Sequence, residues 1–165
     1  MVTALIAVAG TLLGSIVTHV FQRMTADRTT RQNFADRLRQ DRLSAYNAFA
    51  ASAIEYRHHQ IERWHRLRQN PDTEVTARSE SYSKKVELRS ELVRVKLLTS
   101  DPRIQDLADH AIEAIRAIQR SGVAPASPED HAILMKKANN AIEDFVAQAA
   151  RDVQAHEQKQ LSQRR

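Results

Sequence analysis

Twenty consecutive residues, Val2 to Phe21, contain no Asp, Glu, Lys or Arg, and Arg23, Arg28 and Arg31 follow closely. As a helix, such a run reaches roughly 30 Å, the thickness of a bilayer's hydrocarbon core. The segment therefore reads as a transmembrane anchor over residues 1–22. A cleaved secretory signal would open with a charged segment and end in small residues after a short apolar core. Here no charged side chain precedes the run, and Ala7-Val8-Ala9 lies too early to be such a site. A buried core helix would be shorter and would carry a polar face. Basic residues flanking a span favour the cytoplasmic side. The expected placement is thus single-pass in the cell inner (plasma) membrane, with the N-terminus out and the C-terminal domain cytoplasmic. Only a residue or two would protrude on the far side, which leaves no room there for a sensing domain.

The net charge of +5 is confined to the segment nearest the membrane. Residues 23–69 hold ten Arg (23, 28, 31, 37, 39, 42, 57, 63, 66, 68) against five acids (27, 36, 41, 55, 62). Residues 70–121 carry nine basic and nine acidic side chains, and residues 122–165 carry six of each, so both balance. Basic residues beside a membrane are drawn to anionic headgroups by about 1 kcal/mol per charge. The effect fades beyond a Debye length of roughly 8 Å, so only Arg23, Arg28 and Arg31 are expected to contact lipid headgroups. The interleaved acids argue for a solvated helix face, and nucleic acid is not expected as a partner. The chain has no cysteine, which removes disulfides, thiolate catalysis and Cys-ligated metal sites.

Gly occurs only at 10, 14 and 122, and Pro only at 71, 102, 125 and 128. With neither between Phe21 and Asn70, the anchor is free to continue into a helix ending near Gln69. Residues 23–33 offer few apolar side chains and read as a basic juxtamembrane neck. From Phe34 the helical period begins. Leu38, Ala45, Phe49 and Tyr56 mark one apolar stripe; Leu43, Tyr46, Ala50, Ile54, Ile61 and Trp64 mark an adjacent one. Asn70-Pro71 ends that helix, since proline disfavours the helical conformation of the residue before it. A second helix is expected from about Val75 to Leu98, its apolar residues being Val86, Leu88, Leu92, Val93, Val95, Leu97 and Leu98. Asp101 caps a third, with Pro102 in its first turn, and Ile104, Leu107, Ala108, Ala111, Ile115 and Ile118 on its inner face. It should end at Ser121-Gly122. Ser127-Pro128-Glu129-Asp130 starts a fourth, with Leu134, Ala138, Ala141, Ile142, Phe145, Val146, Ala149 and Val153 facing inward. The fold class is all-α: an N-terminal transmembrane helix continuing into an antiparallel four-helix bundle over residues 34–153, followed by a polar tail over residues 154–165.

Arg39-Gln40-Asp41-Arg42-Leu43-Ser44-Ala45-Tyr46-Asn47-Ala48-Phe49, then Val93-Arg94-Val95-Lys96-Leu97-Leu98 ahead of Ser100-Asp101-Pro102, then Phe145 through Arg151-Asp152-Val153 resemble a broad group of small bacterial proteins of high-GC type. Its members have an N-terminal span and a cytoplasmic helical-bundle domain. The resemblance covers nearly the whole chain and implies architecture, not an activity or functional residues.

Within the anchor, Gly10-Thr11-Leu12-Leu13-Gly14 has GxxxG spacing. Placed on a helical wheel, Thr3, Ala7, Gly10, Thr11, Gly14 and Thr18 share one arc of about 100°. Small residues let a second helix backbone approach closely, so this arc is the expected packing face of a homo-oligomer. His19, near the inner boundary, is expected to reach headgroups. The one constellation suited to metal chemistry is Glu55-x-x-His58 with Glu62-x-x-His65 on the first cytoplasmic helix, beside His59. Di-iron bundles place Glu-x-x-His on two different helices. Here both copies share one helix, and a solvated face of Glu–His and Glu–Arg pairs is the preferred reading. No metal and no cofactor are therefore assigned. His110, His131 and His156 read as surface residues, and Trp64 and Tyr56 as core.

No Gly-rich phosphate loop, Gly-x-Ser-x-Gly or His-Glu-x-x-His occurs. The expectation is a non-enzymatic, membrane-anchored helical scaffold or adaptor that self-associates or recruits a cytoplasmic protein. A holin-like or toxin-like membrane-active protein is the alternative, and a metal-binding helical bundle the second alternative. The lipid bilayer, other copies of the chain and an unknown cytoplasmic protein are the expected partners.

Overall fold

A computed structural model describes the backbone of residues 2–69, 74–121 and 127–163, and the side chains of residues 33–69, 79–121, 127–155 and 158. Among the described residues there are four helices and no strand: α1 (Val2–Gln69), α2 (Glu74–Leu98), α3 (Pro102–Ser121) and α4 (Pro128–Gln163). The chain divides into two compact units, Met1–Leu38 and Arg39–Arg165. Among the described residues no helix is long and apolar enough to cross a membrane. The side chains of the expected span, of its packing face and of Arg23, Arg28 and Arg31 lie outside the described residues. So does Gly122, the expected end of α3.

The helix starts follow from their caps. Asp101 Oδ1 accepts from the Arg103 amide at 2.9 Å, satisfying a first-turn N–H of α3. Ser127 Oγ accepts from the Asp130 amide at 3.0 Å and does the same for α4. The cap of α3 is also held from outside, since Gln148 Nε2 of α4 donates to Asp101 Oδ2 at 3.1 Å. At the other end of α2, Arg42 Nε donates to the Leu98 carbonyl at 2.8 Å, so a cation from α1 satisfies a C-terminal carbonyl. The helix α4 runs on to Gln163, beyond Val153 where its apolar pattern ends.

Within the unit Arg39–Arg165, cross-helix partners set the topology. Arg42 meets Leu98, Ser44 meets Arg94, Glu55 meets Lys84 and Gln60 meets Ser81, so α1 and α2 are antiparallel. Tyr46 meets Asp152, Arg57 meets Asn139 and Trp64 meets His131, so α1 and α4 are antiparallel too. The result is a helical bundle with one core, to which Phe49, Tyr56, Leu88, Val95, Ile104, Ile115, Ile118 and Phe145 contribute fully buried side chains. Phe145 is its aromatic centre: its ring lies 4.6 Å from Phe49 and stands edge-on to Tyr46 at 6.1 Å. The Tyr46 hydroxyl donates to Asp152 Oδ2 at 2.9 Å. Burial, with the Asp152 carboxylate beside it, pushes the Tyr46 phenol up to about 12 and keeps it protonated.

The inner face of α3 is close to the one the sequence predicts, with Ile112 added to it and Leu107 only partly buried. Elsewhere the predicted apolar stripes are too wide for the core. Leu43 and Ile54 on α1, Val86, Val93 and Leu97 on α2, and Val146 on α4 are all exposed. The reason is geometric: a helix packed between neighbours buries one arc, and apolar residues at 86, 88, 92, 93, 95, 97 and 98 do not fit a single arc. Leu88 and Val95 take the core, while Val86, Val93 and Leu97 are left outside.

Candidate functional site

The Glu-x-x-His constellation comes apart in three dimensions. Lys84 Nζ of α2 lies 2.7 Å from Glu55 Oε2 and 3.0 Å from Glu87 Oε2. The Lys84 ammonium accordingly holds the Glu55 carboxyl below its usual range, and Glu55 raises Lys84 in return. Glu62 faces His58 Nε2 at 3.2 Å, His59 Nδ1 at 3.9 Å and Arg66 Nη2 at 3.7 Å. The His65 ring instead stands edge-on to Trp64 at 5.0 Å. The four residues thus share a helix face without converging. Among the described residues no three His, Asp or Glu side chains are grouped as a metal would require.

His131 departs from its expected surface position. It is buried and lies flat on Trp64, the ring centroids 3.9 Å apart and the planes 9° from parallel. The Arg68 guanidinium is 4.8 Å from the Trp64 ring, and His65 is edge-on to His131 at 6.3 Å. Neither ring nitrogen of His131 has a hydrogen-bond partner among the described residues. Burial holds this imidazole below its ordinary value, with His65 and Arg68 adding to the effect. The position was legible in part, because His131 falls seven residues before Ala138, on the inward stripe of α4. Its residue type argued for the surface; its register argued for the core, and register prevailed because the flat ring stacks on an indole.

What the bundle does offer is surface apolar area arranged in stripes. On α2, Tyr82 is 66 % exposed, Val86 53 %, Val93 52 % and Leu97 81 %. At about 100° per residue these four fall within an arc of about 60°. The arc adjoining it on the side of α3 holds Lys85, Arg89 and Lys96, and Lys96 pairs with Asp109 of α3 at 2.7 Å. Between α2 and α3 lies a groove of about 480 Å³. Tyr56, Leu88, Leu92 and Ile112 supply its apolar lining, and Lys85, Arg89 and Arg116 are among its basic groups. A second, smaller cleft of about 180 Å³ lies between α1 and α4, lined by Leu43, Ala50, Phe145, Val146 and Val153 among others. Sequence reading placed Leu43 and Val146 on buried stripes, and on α2 it named Val86, Val93 and Leu97 as apolar without dividing them from Leu88 and Val95. The signal available was an excess of apolar residues on α2 over what one buried arc holds.

Helical faces with exposed apolar stripes and charged borders are chemically suited to binding other helices. Comparison with known proteins adds one match: residues 43–153 fit the family described as KilB plasmid transfer protein. No curated protein and no solved structure matches. The match begins after the expected span and bears neither on that span nor on the expected grouping with proteins of high-GC bacteria. Since it covers most of the chain, from Leu43 on α1 to Val153 on α4, the protein belongs to the KilB plasmid transfer protein family.

Proposed function

We propose that this chain is a non-enzymatic, membrane-anchored helical adaptor of plasmid transfer, which self-associates through its N-terminal segment and recruits a cytoplasmic protein through its bundle. The observation that carries the reading is the exposed stripe Tyr82, Val86, Val93 and Leu97 on a helix whose other arc is already buried in the core. An apolar stripe of this kind serves a partner better than it serves a monomer in water. Membership of the KilB plasmid transfer protein family supports plasmid transfer as the process. The apolar run Val2–Phe21 followed by Arg23, Arg28 and Arg31 supports single-pass insertion in the plasma membrane with the bundle on the cytoplasmic side.

The test compares the full-length chain with a variant lacking residues 2–21, both expressed from the transferring plasmid. The full chain should stay in the membrane pellet after an alkaline carbonate wash and support plasmid transfer. The truncated chain should be released and fail to support it. A full-length chain found in the soluble fraction, or transfer unaffected by the truncation, would overturn the reading.

A further inference from the structure

The stripe on α2 and the groove between α2 and α3 form one continuous surface, because Val93 belongs to both and Arg89, which lines the groove, lies in the arc beside the stripe. We infer that this surface binds an acidic amphipathic helix of a partner protein, laid along α2 with its carboxylates toward α3. The inference rests on the adaptor reading and specifies the chemistry of what is recruited.

Length, polarity and charge each point to that occupant. From Tyr82 to Leu97 the stripe spans about 22 Å, or four helical turns, matching a helix that offers apolar anchors at every third and fourth residue. One border of the stripe holds Lys85, Arg89 and Lys96, whereas the other holds Ser83, Ser90 and Arg94, the last paired with Glu91 at 3.9 Å. Across the groove, Arg116 engages Glu113, and Asp109 engages Lys96. Lys85 and Arg89 have no ion pair among the described residues. Carboxylates along one side of an incoming helix would complete them.

The same charges argue against a second copy of α2. In a two-fold antiparallel pair the two basic borders would face one another. In a parallel pair each would face Ser83, Ser90 and the already paired Arg94 and stay unmatched. A basic, apolar helix face also suits an anionic lipid surface. The concavity of the groove favours a helix, since a flat bilayer would leave a cleft of this size unfilled.

The experiment places the photocrosslinker p-benzoylphenylalanine at position 86 or 93 of the full-length chain in cells carrying the plasmid. Irradiation is followed by sequencing of the crosslinked peptide. A control series places it at position 43. The expected adduct is a segment with apolar residues at helical spacing and a carboxylate-rich border, its yield falling about tenfold in the Lys85→Glu, Arg89→Glu variant, as reversal of two charge pairs implies. An adduct with another copy of this chain, with lipid, or with a segment lacking that pattern would overturn the inference. So would the absence of any adduct at 86 and 93. A partner captured at 43 alone would remove this surface and leave the adaptor reading standing; no partner at any position would remove both.

Discussion

Replacing Leu88 and Leu97 by Ala, one at a time, separates the two faces of α2. Both lie on the same helix, nine residues apart, and Leu and Ala are both strong helix formers, so propensity contributes little to the difference. Leu88 is fully buried in the core, while Leu97 is among the most exposed apolar side chains. Truncating a buried Leu removes its transfer free energy and leaves a cavity, costing roughly 3 kcal/mol. A substitution at a solvated site away from caps and networks stays within about 0.5 kcal/mol. For a unit of this size the contrast is a loss of roughly 10 °C in midpoint for Leu88→Ala against almost no change for Leu97→Ala. Thermal unfolding of the full-length chain in mild detergent, followed by far-ultraviolet circular dichroism, reads both. Equal losses would refute the assignment of inner and outer faces, and with it the claim that the stripe is free for a partner.

Phe145→Ala should cost roughly 4 kcal/mol in a denaturant titration, because the ring is wholly buried against Phe49 and Tyr46; a loss below about 1 kcal/mol would place the aromatic centre elsewhere. His131 is held below its ordinary value near 6.5, so the unfolded chain binds its proton more readily than the folded one. Its contribution is therefore full above about pH 6.5 and falls as the pH drops through that value. His131→Phe should flatten this acid limb while keeping the stack on Trp64, and an unchanged slope in stability against pH would contradict the assignment. Gly10→Ile with Gly14→Ile should reduce self-association of the full chain in membranes, measured by crosslinking yield; an undiminished dimer would confine the segment to anchoring.

Local chemistry was the most legible part of the sequence. Asp101 with Pro102 and Ser127 with Asp130 are helix starts that need only their neighbours, and α3 carries its apolar residues on one arc, so its core face followed directly. The faces of α2 were not legible, because its apolar residues cover more of the helix than neighbours can bury; the choice between Leu88 and Leu97 is made by where α1 and α3 stand. The Glu55, His58, Glu62 and His65 spacing places these residues on one face of α1. It could not say that Lys84 would reach Glu55, or that His65 would turn toward Trp64. Likewise, the polarity of His131 hid a position that its register had marked.

Plasmid transfer frequency with the paired change Val86→Asp and Val93→Asp tests the central claim most directly. Both side chains are about half exposed, so the bundle should keep its helical signal, its midpoint and its membrane association. The account predicts that transfer nevertheless falls to the level seen when the protein is absent. Transfer at the unaltered frequency, with the variant folded and at normal abundance, would contradict it.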